Sequence, residues 1–321
     1  MSTAEAIDEF PCFGSRCGVH VSGEAAGCSA EQAVAGARRA LLSWHDQFSR
    51  FEPGSELSRL NADPRGEVPV SPLMARLARA VRRAGSLTGG LVDATMLEAI
   101  ERRGYDHDLG EPLPLIDALR LAPPRHPAGP ASAPGFAQVA VDFGRGTVRR
   151  PPGLRIDSGG LAKGLFADVL AQALAGHDSF AVNCAGDIAL GGSAGAARAV
   201  NVDSPFDDAT LHTFQLVRGG VATSGIGRRS WIDRSGRPCH HLLDPATGAP
   251  AFTGIVQVTA LAANALTAET YAKAALLSGP AEAPRWLPAG GVIVLEDGTH
   301  IVIEPPPAVT LSELSAYAHQ G

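Results

Sequence analysis

The chain has 321 residues, 45% of them apolar, and a formal net charge of −6 at neutral pH. That length and apolar content are enough to bury a substantial core, and the acidic balance argues against nucleic acid as the main partner, because phosphate recognition leaves a basic footprint. No stretch is long and apolar enough to span a bilayer, and "MSTAEAIDEF" has neither the basic start nor the apolar run of an export signal, so a cytoplasmic location is expected.

The elements follow in chain order. Ser29 and Gln32 form a capping box ahead of Val34, Ala37, Leu41, Trp44 and Phe48 at helical spacing. Ser71-Pro72 starts a second amphipathic helix, which carries Leu73, Leu77 and Val81 inward and stops at Gly89-Gly90. From Arg120 to Phe136 the proline- and alanine-rich run "RLAPPRHPAGPASAPGF" reads as a surface connection, ordered to mobile, and as an insertion within a single domain covering 1–321. Strand patterns then follow in "QVAVDF", "GLRID" and "FAVNCAGDIALGG", the last pinched at Ala185-Gly186-Asp187, with a helix from Leu161 to Leu174 between them. "GIVQVTAL", a helix from Thr267 to Leu277 closed by Gly279, and a hairpin turning on Asp297-Gly298 complete the chain. Strands and helices mix without regular βαβ alternation, which predicts an α+β fold rather than a doubly wound parallel sheet.

Several stretches could carry chemistry. "IDSGGLAKG" sets Asp157, Gly159, Gly160 and Lys163 where a strand passes into a helix; free amides and the helix dipole there favour an anion, and tight packing is the equal alternative. It matches neither the Walker spacing nor G-x-G-x-x-G. "HHLLDPATGAP" places His241 beside a rigid turn in which Asp244 bonds its own backbone, a position suited to an acid or base near neutral pH. "GGVATSGIGRRSW" offers Thr223 and Ser224 but misses the G-x-S-x-G elbow, since residue 222 is alanine. The five cysteines are an odd number, widely spread, and imply no disulfide framework. Cys239-His240-His241 has no second Cys/His cluster to complete a zinc site.

Taken in order, "FSRFEPGSELSRLN", "TGGLVDAT", "RIDSGGLAKGLFAD", "VNCAGDIALGG", "ATSGIGRRSW", "HHLLDPATGAP" and "TAETYAKAALLSG" resemble the FAD:protein FMN transferase, or ApbE, family. The resemblance implies mainly antiparallel sheets with packed helices, FAD as substrate, and transfer of FMN to a Thr or Ser hydroxyl of an acceptor protein with release of AMP. It implies FAD contacts at Phe13, Phe51, Leu91, Val92, Asp93, Asp157, Lys163 and Leu243, with His241 activating the acceptor hydroxyl. Gly160 matches a metal position, and the family's paired Asp and Thr magnesium ligands fall on Glu269 and Lys273. An ammonium cannot coordinate magnesium, so the chain departs from the family there: either Lys273 stands in for the cation with Asp157 and His241 completing the catalytic set, or the protein binds FAD for storage or sensing. Hydrolysis of FAD to FMN and AMP, a pyrophosphatase activity, is the further alternative.

Overall fold

The computed structural model describes residues 5–107 and 109–306. In chain order the elements are β1 (Ala6–Cys12), β2 (Ser15–Ser22), α1 (Ala30–Phe48), α2 (Glu56–Ala62), β3 (Glu67–Pro69), α3 (Pro72–Leu87), α4 (Leu97–Arg102) and α5 (Leu115–Leu121). Next come β4 (Ala140–Asp142), β5 (Thr147–Arg149), α6 (Ala162–Leu174), β6 (Ser179–Cys184), β7 (Asp187–Gly191), β8 (Arg198–Asp203), β9 (Thr210–Leu216) and β10 (Gly219–Gly225). The chain continues through β11 (Ser230–Ile232), β12 (Pro238–His240), β13 (Ile255–Ala262), α7 (Ala265–Ser278), β14 (Gly291–Leu295) and β15 (His300–Ile303).

Eight strands form one sheet in the order β1-β2-β6-β7-β10-β13-β14-β15, and every neighbouring pair in it is antiparallel. The α+β, mainly antiparallel architecture is the one expected. Helices α1 and α6 pack against the β1, β2, β6 and β7 region, and α7 against β7, β10 and β13. The helix starts obey local chemistry. Ser29 accepts from the Gln32 amide at 3.3 Å while Gln32 Oε1 accepts from the Ser29 amide at 3.0 Å, and the α1 stripe of Val34, Ala37, Leu41 and Phe48 is buried. Helix α7 has no polar stripe. Apolar residues surround it, as befits a helix enclosed on all sides, and this enclosure buries its Glu269 and Lys273.

One expectation needs correction. "GLRID" is not a strand: the side chain of Asn61 plays a neighbouring strand's part, donating to the Ile156 carbonyl and accepting from the Ile156 amide, each at 2.8 Å. An extended segment with both polar groups satisfied in this way needs no ladder. The Pro/Ala-rich run is a connection tied to the body of the protein by backbone hydrogen bonds. Its backbone donates from His126 to the Phe252 carbonyl at 3.2 Å, from Ala128 to Leu277 at 2.8 Å and from Gly129 to Asp244 Oδ1 at 2.9 Å. Patterning also gave no sign of the β1–β2 hairpin or of β8 to β12, of which only β11 and β12, at 3 residues each, are too short to carry an alternating pattern.

Candidate active site

A cleft of about 1280 Å³ opens where the β1–β2 turn, the β6–β7 turn, the N-terminus of α6, the segment after β10 and the His241 segment meet. Of the residues singled out by the resemblance, Phe13, Phe51, Leu91, Val92, Asp93, Asp157, Gly160, Lys163, His241, Leu243 and Lys273 all line it. Glu269 lies beneath its floor, with no exposed surface.

Local structure explains each placement. The two-residue β1–β2 turn holds Phe13 at φ 55° and Gly14 at φ 68°, the left-handed pair a tight hairpin needs. A bulky residue rarely adopts that conformation. Here it aims the Phe13 ring at the cleft, stacked on Phe166 with centroids 5.5 Å apart. The β6–β7 turn repeats the device with Ala185 at φ 56° and Gly186 at φ 102°, and it too lines the cleft. The Asp93 carboxylate accepts from the Thr95 amide of its own loop at 2.9 Å and from the Gly135 amide, 42 residues on, at 3.1 Å, so Leu91 to Asp93 present a braced wall. Asp157 caps the 3₁₀ turn Ser158–Gly160 by accepting from the Gly159 amide at 3.1 Å.

The start of α6 is not an open anion site. The Gly164 amide donates to Glu269 Oε2 at 3.0 Å, so a carboxylate from α7 already occupies the helix terminus. Around it lies a buried quartet. Lys163 Nζ bonds Asp187 at the start of β7 and sits 3.5 Å from Glu269 Oε1; Lys273 Nζ donates to the same Oε1 at 2.9 Å. Burial pushes Asp187 up to about 7, with Glu269 adding to the rise and Lys163 opposing it. Glu269 goes the other way: burial works against its charge, but Lys273 and Lys163 outweigh burial and hold it below the usual carboxylate range. Burial opposes the Lys163 charge as well, and Asp187 and Glu269 reverse that, raising its ammonium.

These contacts decide whether the set fits magnesium. Both Glu269 oxygens are engaged, one by a backbone amide and one by two ammoniums, and the residue at the second ligand position is a lysine. Magnesium requires hard oxygen donors in octahedral geometry. The residues present do not fit it. Among the described residues no group of three His, Cys, Asp or Glu side chains converges as a metal site.

Two lining residues carry buried polar atoms without partners. Arg50 stacks over Phe51 and Tyr105, its guanidinium carbon 4.5 and 4.2 Å from their ring centroids; its side chain is 9% exposed and its Nη1 has no hydrogen-bond partner. His241 Nδ1 is likewise unsatisfied. Burial, and after it the Arg229 charge, depresses His241 far below the usual imidazole range, so its ring is neutral. A neutral imidazole can accept a proton. Arg229 donates to the Phe13 carbonyl at 3.2 Å. Sequence reasoning missed Arg50, Arg229 and Asp187. All three stand inside quoted blocks, "FSRFEPGSELSRLN", "ATSGIGRRSW" and "VNCAGDIALGG", but nothing in the local pattern shows that their side chains reach the cleft or its floor. Thr223 instead pairs with Thr259 across β10 and β13 at 2.8 Å.

The ApbE family profile matches residues 13–295. The FAD:protein FMN transferase of Klebsiella pneumoniae is 28% identical over 256 residues, 77% of this chain and 71% of that protein; that of Vibrio cholerae is 26% identical over 250 residues, 75% and 72%. The crystal structure of the ApbE protein of Thermotoga maritima superposes with a TM-score of 0.76 at 25% identity, covering 94% of this chain and 97% of that one. With a match across most of its length and one continuous fold in common, this chain belongs to the ApbE family.

Proposed function

We propose that the protein is an FAD:protein FMN transferase. In the reaction the hydroxyl oxygen of an acceptor Thr or Ser bonds to the phosphorus on the FMN side of the FAD pyrophosphate. The bridging P–O bond breaks toward AMP, and the hydroxyl proton leaves to a base. The observation that carries this reading is the convergence of eleven residues, each at a position the family resemblance singles out, on one cleft larger than the about 300–1,000 Å³ of ordinary ligand sites. That is room for a dinucleotide and an approaching acceptor segment.

Each residue has work of its own. Phe13 and Phe51 supply aromatic faces for the ring systems of FAD. Arg50, with an unsatisfied Nη1, and Arg229 supply guanidinium donors to the pyrophosphate oxygens. Asp157 fixes the turn that carries Gly160, and Leu91 to Asp93 and Leu243 wall the nucleotide. His241, neutral and with a free ring nitrogen, takes the acceptor proton; an adjacent pyrophosphate anion raises its affinity for that proton. A cytoplasmic acceptor belongs to the same proposal, supported by five free cysteines, four of them buried, which suit a reducing compartment. No helix among the described residues is long and apolar enough to cross a membrane.

The test is to incubate purified protein with FAD and an acceptor polypeptide bearing a flavinylation Thr or Ser, then weigh the acceptor and quantify AMP. A gain of one FMN per acceptor with equal AMP is expected. AMP and free FMN without acceptor labelling would mean hydrolysis, and FAD bound but intact would mean a binding protein.

A further inference from the structure

We propose that Lys273 supplies, from within the chain, the positive charge a divalent cation would bring, so that FAD is held and FMN transferred without magnesium. This rests on the transferase reading above and names how that site neutralises its substrate.

Lys163 and Lys273 bring two positive charges against the buried carboxyls of Glu269 and Asp187, so the quartet carries no net negative charge. Threonine at 273 would remove one of the two positive charges beside Glu269 and favour a cation there. Lysine removes that demand and covalently fixes a cation in its place. An ion coordinated at about 2.1 Å from Glu269 Oε1 would lie within about 5 Å of Lys273 Nζ, where like charges repel. The cluster excludes the metal as well as replacing it.

An ordinary solvated i,i+4 ion pair is the competing account, and burial rules it out. Glu269 is fully buried and the Lys273 side chain is 10% exposed. A pair that far from water gains little over well-packed apolar residues, so stability alone gives no reason to place it there. Its location gives one: Lys273 and Lys163 both line the cleft, while the carboxylates that hold them lie behind. The ammoniums are braced from the rear and face the position of a bound anion. Such a fixed charge needs no reorganisation as negative charge gathers on the departing AMP phosphate. The role of Lys273 is electrostatic.

The test measures FAD affinity, by quenching of flavin fluorescence, for the parent and Lys273→Thr, each in chelator and in millimolar magnesium. Direct magnesium binding without FAD is measured by calorimetry on both. The parent is expected to bind FAD with the same affinity, within twofold, in either condition and to show no magnesium heat. Lys273→Thr is expected to lose tenfold or more in FAD affinity in chelator, to recover with magnesium, and to bind the ion directly. A parent whose FAD affinity falls tenfold in chelator, or which binds magnesium by itself, would overturn the proposal. So would a folded Lys273→Thr protein that behaves as the parent does. Should Lys273→Thr not fold, the parent's chelator response still decides. Absence of FAD binding in every condition would defeat the transferase reading instead, and the magnesium titration of the parent would then judge the metal-excluding cluster independently.

Discussion

At the scale of single residues, the site is marked by groups that the fold leaves uncomfortable. Phe13 and Ala185 occupy left-handed backbone, and Arg50 and His241 keep buried polar atoms unpaired. Each costs folding energy of order 1 kcal/mol or more, and all four line the same cleft. His241→Ala is expected to lower FMN transfer by about 10²-fold or more, the usual share of a general base, with FAD affinity within threefold; transfer at the parental rate would remove His241 from the chemistry. Arg50→Leu keeps bulk between Phe51 and Tyr105 but deletes the free donor. Its FAD affinity is expected to fall about tenfold or more, the loss of one charge-assisted hydrogen bond, and unchanged binding by fluorescence titration would show that Nη1 meets no substrate.

At the scale of elements, the site depends on how closely α6 and α7 approach. A Cβ on Gly164 would stand 2.8 Å from the Ala265 carbonyl oxygen and the Leu266 Cα, backbone that cannot swing aside. The same contact lets Glu269 of α7 cap α6. Gly164→Ala is therefore expected to cost about 1–3 kcal/mol in denaturant unfolding and to weaken FAD binding, since it moves Lys163 and Lys273 apart. A fully stable Gly164→Ala protein would mean the helices have slack there. By contrast Ser29→Ala, at the start of α1 and remote from the cleft, should cost about 1 kcal/mol through its cap and leave FAD binding alone.

At the scale of the whole molecule, buried ionisable groups set the response to pH. Burial lowers His240 to about 3 and His241 well below its ordinary value. Above about pH 6.5 both are neutral whether the chain is folded or not, and they contribute nothing to pH dependence. As pH drops below that value, the unfolded chain takes up protons that the folded chain refuses, so stability falls by up to about 1.4 kcal/mol per pH unit for each histidine. For His240 the loss continues down to about pH 3. Asp187, raised by burial to about 7, takes up a proton in the folded chain over the same range and offsets about one histidine. Unfolding midpoints measured between pH 7 and pH 4 should therefore show a moderate decline, which His240→Gln should flatten; an identical slope in the variant would assign the acid lability elsewhere.

Much of this protein was determined by local sequence. The Ser29 and Ser71 caps, the α1 stripe and the turns at Asp244 and Asp297 are fixed by neighbours within a few residues, and those elements stand where the pattern put them. The ordered blocks from "FSRF" to "TAETYAKAALLSG" carried the family and most of the cleft lining. Tertiary structure alone decided the rest, because the deciding partners lie far apart along the chain. Asn61 replaces a strand for Ile156 across 95 residues, and Glu269 caps α6 across 105. Lys163 meets Asp187 as a buried partner 24 residues away. The Glu269 and Lys273 spacing shows that the two can pair, but only their enclosure within α7's packing turns an ordinary surface pair into a fixed charge at the floor of the cleft.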